Sequence, residues 1–232
     1  MKRFYRSVTV EEDTGRAGWR VLLDGRAIRT SGGADQIVPS QDVAEALAQE
    51  WESQGEEIDV SRFLFRDLTD YAIDIVAPDR KTAIHNLLDF AQTDTLCYRA
   101  PPEDALFERQ QAEWEPLLRQ LELSENLLFE RISGVIHRPQ PAETIAALKS
   151  RLEGMDNYTL AAMQLLVSLP ASLVIGLIAL DPDANIHDLW QIANLEELWQ
   201  AELWGMDSEA AQRLRDREKK FTSAARYVAL LR

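Results

Sequence analysis

Up to Ser40 the apolar positions fall in short runs rich in β-branched and aromatic residues, and beyond it they recur every third or fourth residue. Phe4-Tyr5-Arg6-Ser7-Val8-Thr9-Val10 reads as a strand, and Trp19-Arg20-Val21-Leu22-Leu23 is joined to Arg26-Ala27-Ile28-Arg29-Thr30 by Asp24-Gly25. Asp-Gly is a strong two-residue hairpin signal because both residues tolerate positive φ. A small antiparallel sheet is expected. Ser31-Gly32-Gly33 then breaks the chain ahead of a short Gln36-Ile37-Val38 strand, and Pro39-Ser40 opens the first helix.

Helical spacing follows. Val43, Leu47 and Trp51 share a face between Ser40, a good N-cap, and Gly55, a good stop. Leu68, Ala72, Ile75 and Val76 mark a second helix that ends at Pro78, and Ile84, Leu87, Leu88 and Ala91 stripe a third that Asp79 can cap. Past Pro101-Pro102, a fourth starts near Asp104 with Leu106, Gln110, Trp114, Leu117, Leu118 and Leu121 on one side. Pro116 is expected to kink or split it. Further helices are predicted over Glu143–Leu152, Tyr158–Leu180 (broken), Ile186–Trp204 and Glu209–Leu231. The expected class is α+β, with a small N-terminal antiparallel β domain over residues 1–40 followed by a larger all-α helical domain over residues 41–232.

Leu160–Leu180 contains no charged residue and is long enough to span a bilayer. Pro170 sits at its middle, Gln164, Ser168 and Ser172 interrupt it, and its flanks are acidic and lack Lys or Arg anchors. It reads as two buried helical segments meeting near Ser168-Leu169-Pro170, with Ser168 as the second cap, so no stable membrane insertion is expected.

The chain is 232 residues long, and its 39 Asp and Glu against 25 Lys and Arg give a net charge of -14. That balance argues against nucleic acid or anionic lipid as a partner, since both need a positive field. Cys97 is the single cysteine, which rules out an internal disulfide and fits a reducing compartment. The first ten residues carry no signal-peptide pattern, so a cytoplasmic protein is expected. Neither phosphate-binding glycine pattern occurs, there is no GxSxG elbow, and His85, His137 and His187 lack metal-ligand spacing. No cofactor, metal or catalytic set emerges from these motifs.

Two acidic features remain. Asp70 and Asp74 stand at i and i+4 on a helix with an apolar opposite face, an arrangement that can place two carboxylates in a cleft for acid-base chemistry. In Leu195–Ala211, Trp199 and Trp204 are set among Glu196, Glu197, Glu202, Asp207 and Glu209, and Gly205 breaks the helix. Tryptophan supplies contact area and carboxylates can meet a basic patch, so this stretch suits a protein partner; the plainer alternative makes the tryptophans core and the acids a solvated face. Arg213, Arg215, Arg217, Lys219 and Lys220 follow, suited to pairing with that acid or to a phosphate.

Several strings occur in order from Lys2 to about residue 212: Lys2-Arg3-Phe4-Tyr5, Leu23-Asp24-Gly25-Arg26, Glu50-Trp51 with Gln54, Ala72-Ile73-Asp74, Asp94-Thr95-Leu96-Cys97-Tyr98-Arg99-Ala100, Gln110 with Trp114 and Pro116-Leu117-Leu118, and Leu195-Glu196-Glu197 with Gln200 and Trp204-Gly205. Together they resemble the Atp-twelve family of ATP synthase (F-one sector) assembly chaperones. The resemblance implies an ATP-independent chaperone, not an enzyme. It would bind the free alpha subunit of the catalytic head, shielding the surface later presented to beta subunits, and promote assembly of the alternating hexamer. A bare subunit interface of that kind is prone to aggregate. The implied fold agrees with the pattern above. The family's functional acidic segment after the Trp-Gly pair maps onto Glu209, with Glu196, Glu197 and Glu202 nearby, and with Trp199 and Trp204 these form the expected partner-binding set. Two departures stand out: Thr30-Ser31-Gly32-Gly33 replaces the family's Thr-Pro, and Phe63-Leu64-Phe65-Arg66 replaces its Met-Pro-Leu-Thr. The match starting at Lys2 leads us to expect a bacterial cytoplasmic member or a trimmed mature mitochondrial form.

Overall fold

The computed structural model describes residues 1–134 and 137–232, and these group into two compact units. One comprises Met1–Arg80, Asp156–Ala162 and Arg226–Arg232; the other comprises Lys81–Met155 and Met163–Ala225.

The first unit is built on a sheet of β1 (Val8–Asp13), β2 (Gly18–Leu23) and β3 (Arg26–Ala27), antiparallel in that order. The register pairs Val8 with Leu23 and Leu23 with Arg26, leaving Asp24 (φ 49°) and Gly25 (φ 78°) as the expected two-residue turn. β1 starts later than its sequence suggests. The Arg6 and Ser7 N–H groups go to the Asp24 carboxylate at 3.0 and 2.8 Å, so that segment is held by a side chain instead of a ladder. Among the described residues Gln36–Val38 makes a single bridge, Val38 to Trp19, instead of a full strand.

Helix α1 (Gln41–Glu52) buries Val43, Leu47 and Trp51 as the spacing predicts. Ser40 precedes it but does not cap it, because its hydroxyl donates to the Leu230 carbonyl at 2.5 Å; the helix ends at Ser53, ahead of Gly55. Helix α2 (Leu64–Tyr71) takes its N-terminal acceptor from α1: the Glu50 carboxylate receives the Phe65 and Arg66 N–H groups at 2.7 and 2.9 Å. Burial pushes that carboxyl above its ordinary range despite those bonds. The chain continues through a π turn, Ala72–Val76, closed by the Ala77 N–H to the Ala72 carbonyl. The added residue turns Ile75 outward, where simple helical spacing had put it on the apolar face.

In the second unit, α3 (Arg80–Gln92) leads through β4 (Tyr98–Arg99) to α4 (Ala105–Glu125). Asp104 caps α4 by accepting from Leu106, and Pro116 lies within one continuous helix instead of splitting it. β5 (Ile132–Ser133) pairs in parallel with β4, a two-residue ladder the helical spacing does not announce. Then come α5 (Ala142–Glu153), α6 (Asn157–Ser168), α7 (Leu173–Ile178), α8 (Ile186–Ala193), α9 (Leu195–Trp204) and α10 (Ser208–Leu230); α6 and α10 have residues in both units. The apolar stretch is two buried helices, and among the described residues no helix is long and apolar enough to cross a membrane. Ser172, not Ser168, caps the second: its Oγ accepts from Ile175 and donates to Asp94, while Ala171 adopts positive φ in the turn before it. The expected Ile186–Trp204 helix is divided at Asn194, whose amide bonds back to the Trp190 carbonyl at 2.8 Å.

Candidate functional site

Every residue of the expected partner-binding set lies on α9 or at the start of α10, but the structure does not gather them into one cluster. α9 is seated on α4. Gln110, fully buried, accepts the Ala100 N–H with its carbonyl at 2.7 Å and donates its amide to Glu196 at 2.7 Å. Trp114 Nε1 donates to the Ile192 carbonyl at 2.8 Å, fixing the end of α8 just ahead of α9. Desolvation holds the Glu196 carboxyl above its ordinary range, against the opposing bond from Gln110.

Nearer the end of α9, Arg109 forks onto Glu202 with two bonds of 2.6 and 3.0 Å, and its guanidinium lies 5.3 Å from the Trp199 ring centre. This pairing lowers the Glu202 pKa. The Arg109–Glu202 pair rims a cleft of about 450 Å³ lined with Ile192, Leu195 and Leu198. On the other side, Glu197 receives Arg217 at 3.0 Å, and the same guanidinium donates to the Leu169 carbonyl at 2.9 Å. Glu196, Glu197, Glu202 and Trp199 therefore brace α9.

Trp204 and Glu209 stand apart from that bracing. Leu203 is 55% exposed and Trp204 77% exposed, at the point where Gly205 takes φ 81° and ends the helix. Glu209 opens α10 and, among the described residues, its carboxylate meets Arg213 at 2.6 Å one turn along, with its side chain 82% exposed. Three members of the basic run have partners within the chain: Arg213 on Glu209 and Arg215 on Gln212, both exposed, and Arg217, half-buried, on Glu197 and Leu169. Lys219 and Lys220 remain at the surface.

The Asp70 and Asp74 carboxylates do lie on one side of their helix, but they do not line a reaction cleft. Asp70 accepts from the Ser31 N–H and hydroxyl at 2.9 and 2.8 Å and from the Gln36 amide at 2.5 Å. Asp74 accepts from the Thr30 hydroxyl and the Gly32 N–H, each at 2.8 Å. A Cβ on Gly32 would fall 2.7 Å from the Asp74 carboxyl, so any larger residue there would push that carboxylate from its place against the loop. These carboxylates anchor the Thr30–Gly33 loop, and the acid-base reading loses its site.

Among the described residues no group of histidine, cysteine and carboxylate side chains could hold a metal. His137 bonds to the Tyr98 hydroxyl and His187 to Glu218. Cys97 is buried, and burial raises its thiol pKa well out of reactive range.

Two buried polar centres escape sequence reasoning. Arg99 is enclosed beside the Trp114 ring and donates to the Leu96 and Gln110 carbonyls, to Gln111 and to Glu115. Asp94 is fully buried and accepts from Leu96, Ser172 and Val174; burial raises its pKa to about 6. Both occur in the string Asp94–Ala100, so the order of the string was visible but not what each side chain holds.

Residues 2–122 match the family model of the ATP12 chaperone protein. The mitochondrial protein atp12 of Schizosaccharomyces pombe is 26% identical over 224 residues, covering 90% of this chain and 75% of that protein. The crystal structure of Atp12 from Paracoccus denitrificans superposes with a TM-score of 0.92 at 31% identity, covering 100% of this chain and 98% of that one. An aspartate-to-lysine variant of the Paracoccus protein gives the same figures. A chaperone candidate from Agrobacterium tumefaciens gives a TM-score of 0.95 at 34% identity, over 100% of this chain and 86% of that one. With a family match over more than half its length and solved relatives above 30% identity across nearly their whole chains, the protein belongs to the ATP12 chaperone family, the ATP synthase assembly chaperones that its ordered strings resemble.

Proposed function

We propose that this protein is an ATP-independent, non-catalytic chaperone that binds the free alpha subunit of the ATP synthase catalytic head and promotes assembly of the alpha/beta hexamer, working in the bacterial cytoplasm. Membership of the family supports the assembly role. The observation that carries the choice of surface is the exposed Leu203-Trp204 pair at the end of α9, followed at the start of α10 by the exposed Glu209. An exposed tryptophan and an exposed carboxylate five residues apart combine contact area with a charge that a basic patch on the alpha subunit would meet. Glu196, Glu197, Glu202 and Trp199 serve that surface from behind, by fixing α9 against α4 and α10.

Isolated alpha subunit mixed with the full chain is expected to co-elute in size-exclusion chromatography as a stoichiometric complex, with or without nucleotide. Trp204→Ala and Glu209→Lys each weaken it tenfold or more. A chain that forms no such complex at micromolar concentration would sink the assignment, and a complex indifferent to both substitutions would move the interface elsewhere.

A further inference from the structure

The first compact unit carries a surface of opposite character. Although the chain has 39 acidic against 25 basic residues, Met1–Thr30 holds seven Lys and Arg against four Asp and Glu. Beside this basic stretch lies a groove of about 530 Å³ between the N-terminal segment and β3, lined by Phe4, Tyr5, Arg26, Ile28, Arg29 and Trp51. Phe4 is 63% exposed, a large apolar ring left at the rim. Arg26 is in no ion pair among the described residues, and Arg29 comes no closer than 3.7 Å to Asp35. Asp24 is the acid lining the groove, and its carboxylate is already engaged by the Arg6 and Ser7 N–H groups and the Ser7 hydroxyl.

The backbone along the groove is open as well. β3 is an edge strand. The Ile28 N–H donates to Val21 at 3.1 Å, so antiparallel alternation turns the N–H and C=O of Ala27 outward. Such an edge accepts an added strand. In the groove lining, Trp51 is 9% exposed and its indole N–H has no acceptor among the described residues.

We propose that this groove docks an extended acidic segment of a protein partner, which adds a strand to β3 at Ala27, sets its carboxylates against Arg26 and Arg29, and lays an apolar side chain on Phe4 and Ile28. The charge of the rim selects an acidic occupant over a basic one, and the open edge selects an extended one. The surface involves none of the residues assigned to the alpha-subunit contact.

The test uses the full chain and two end-blocked, fluorescein-labelled peptides, one alternating glutamate with valine and the other lysine with valine, followed by anisotropy. The glutamate peptide is expected to bind saturably, at least tenfold more tightly than the lysine peptide, and more weakly as salt rises. The double variant Arg26→Glu, Arg29→Glu is expected to lower its affinity tenfold or more. Ala27→Pro, which removes the outward N–H, should lower it also, with far-UV circular dichroism confirming the fold. Glu209→Lys should leave it unchanged. Equal affinity for both peptides, or indifference to the charge-reversed double variant, overturns the proposal. So does a concentration-dependent dimer abolished by that double variant, which would assign the groove to a second copy of the chain.

Discussion

The Asp70 and Asp74 carboxylates together accept five hydrogen bonds from Gln36 and the loop at Thr30–Gly32, while Glu209 meets one guanidinium a helical turn away. Both sets of acids sit on helices in an acidic chain, and both drew attention as candidate sites. What separates them is the donor. Backbone N–H groups cannot leave, so a carboxylate that binds them is committed to the fold. An exposed Arg at i+4 is a weak, screened partner that another protein can replace. Asp94 belongs with the first kind, since two of its donors are the Leu96 and Val174 N–H groups.

The contrast can be broken by substitution. Asp70→Ala strands the two half-buried Ser31 donors and the buried Gln36 amide, and is expected to cost about 3 kcal/mol in urea unfolding; a loss below about 1 kcal/mol would mean that the loop does not depend on this anchor. Next in size is a pH effect at Asp94. Its folded pKa, about 6, lies above its ordinary value of 3.8 because burial penalises the charged form. The stability it contributes is therefore fully present below about pH 4 and disappears as pH rises through about 6, a change on the order of 2 kcal/mol. Asp94→Asn should flatten that slope, and an identical pH profile in the variant would contradict it. Gly32→Ala presses a methyl group into the Asp74 carboxyl and should cost about 1 kcal/mol. Smallest of all in stability is Glu209→Lys, expected to leave the urea midpoint unmoved while weakening the alpha-subunit complex. A stability loss there as large as that of Asp70→Ala would erase the distinction between the two regions.

Where neighbouring residues alone decide the outcome, the sequence was readable. Asp24-Gly25 forms its hairpin turn, the Val43-Leu47-Trp51 stripe is buried in α1, and the charge-free Leu160–Leu180 stretch folds as two helices. Misreadings occur where a distant group takes over. Ser40 satisfies the Leu230 carbonyl instead of its own helix, and Asp94 reaches across to orient Ser172 as the cap in place of Ser168. Asn194 divides a helix by bonding to the Trp190 carbonyl and receiving Arg217, a residue far along the chain. Within the acidic segment, sequence singled out the residues but could not tell Trp199, held under Arg109, from Trp204, left in water. The Asp70–Asp74 pair was found by its spacing and misread in purpose, because its donors lie some forty positions earlier in the chain.

The π turn at Ala72–Val76 ties the length of one segment to the position of another. A π turn is an α-helix carrying one residue too many, and deleting a residue from it would restore the ordinary winding. Everything beyond the deletion would then rotate by about 100° relative to what precedes it. Asp70 lies before this turn and Asp74 within it, so the deletion would leave one carboxylate facing the Thr30–Gly33 loop and swing the other away. Insertions and deletions in this helix and changes in that loop are thus expected to be inherited together, and a chain that had shed the extra residue would need a different loop.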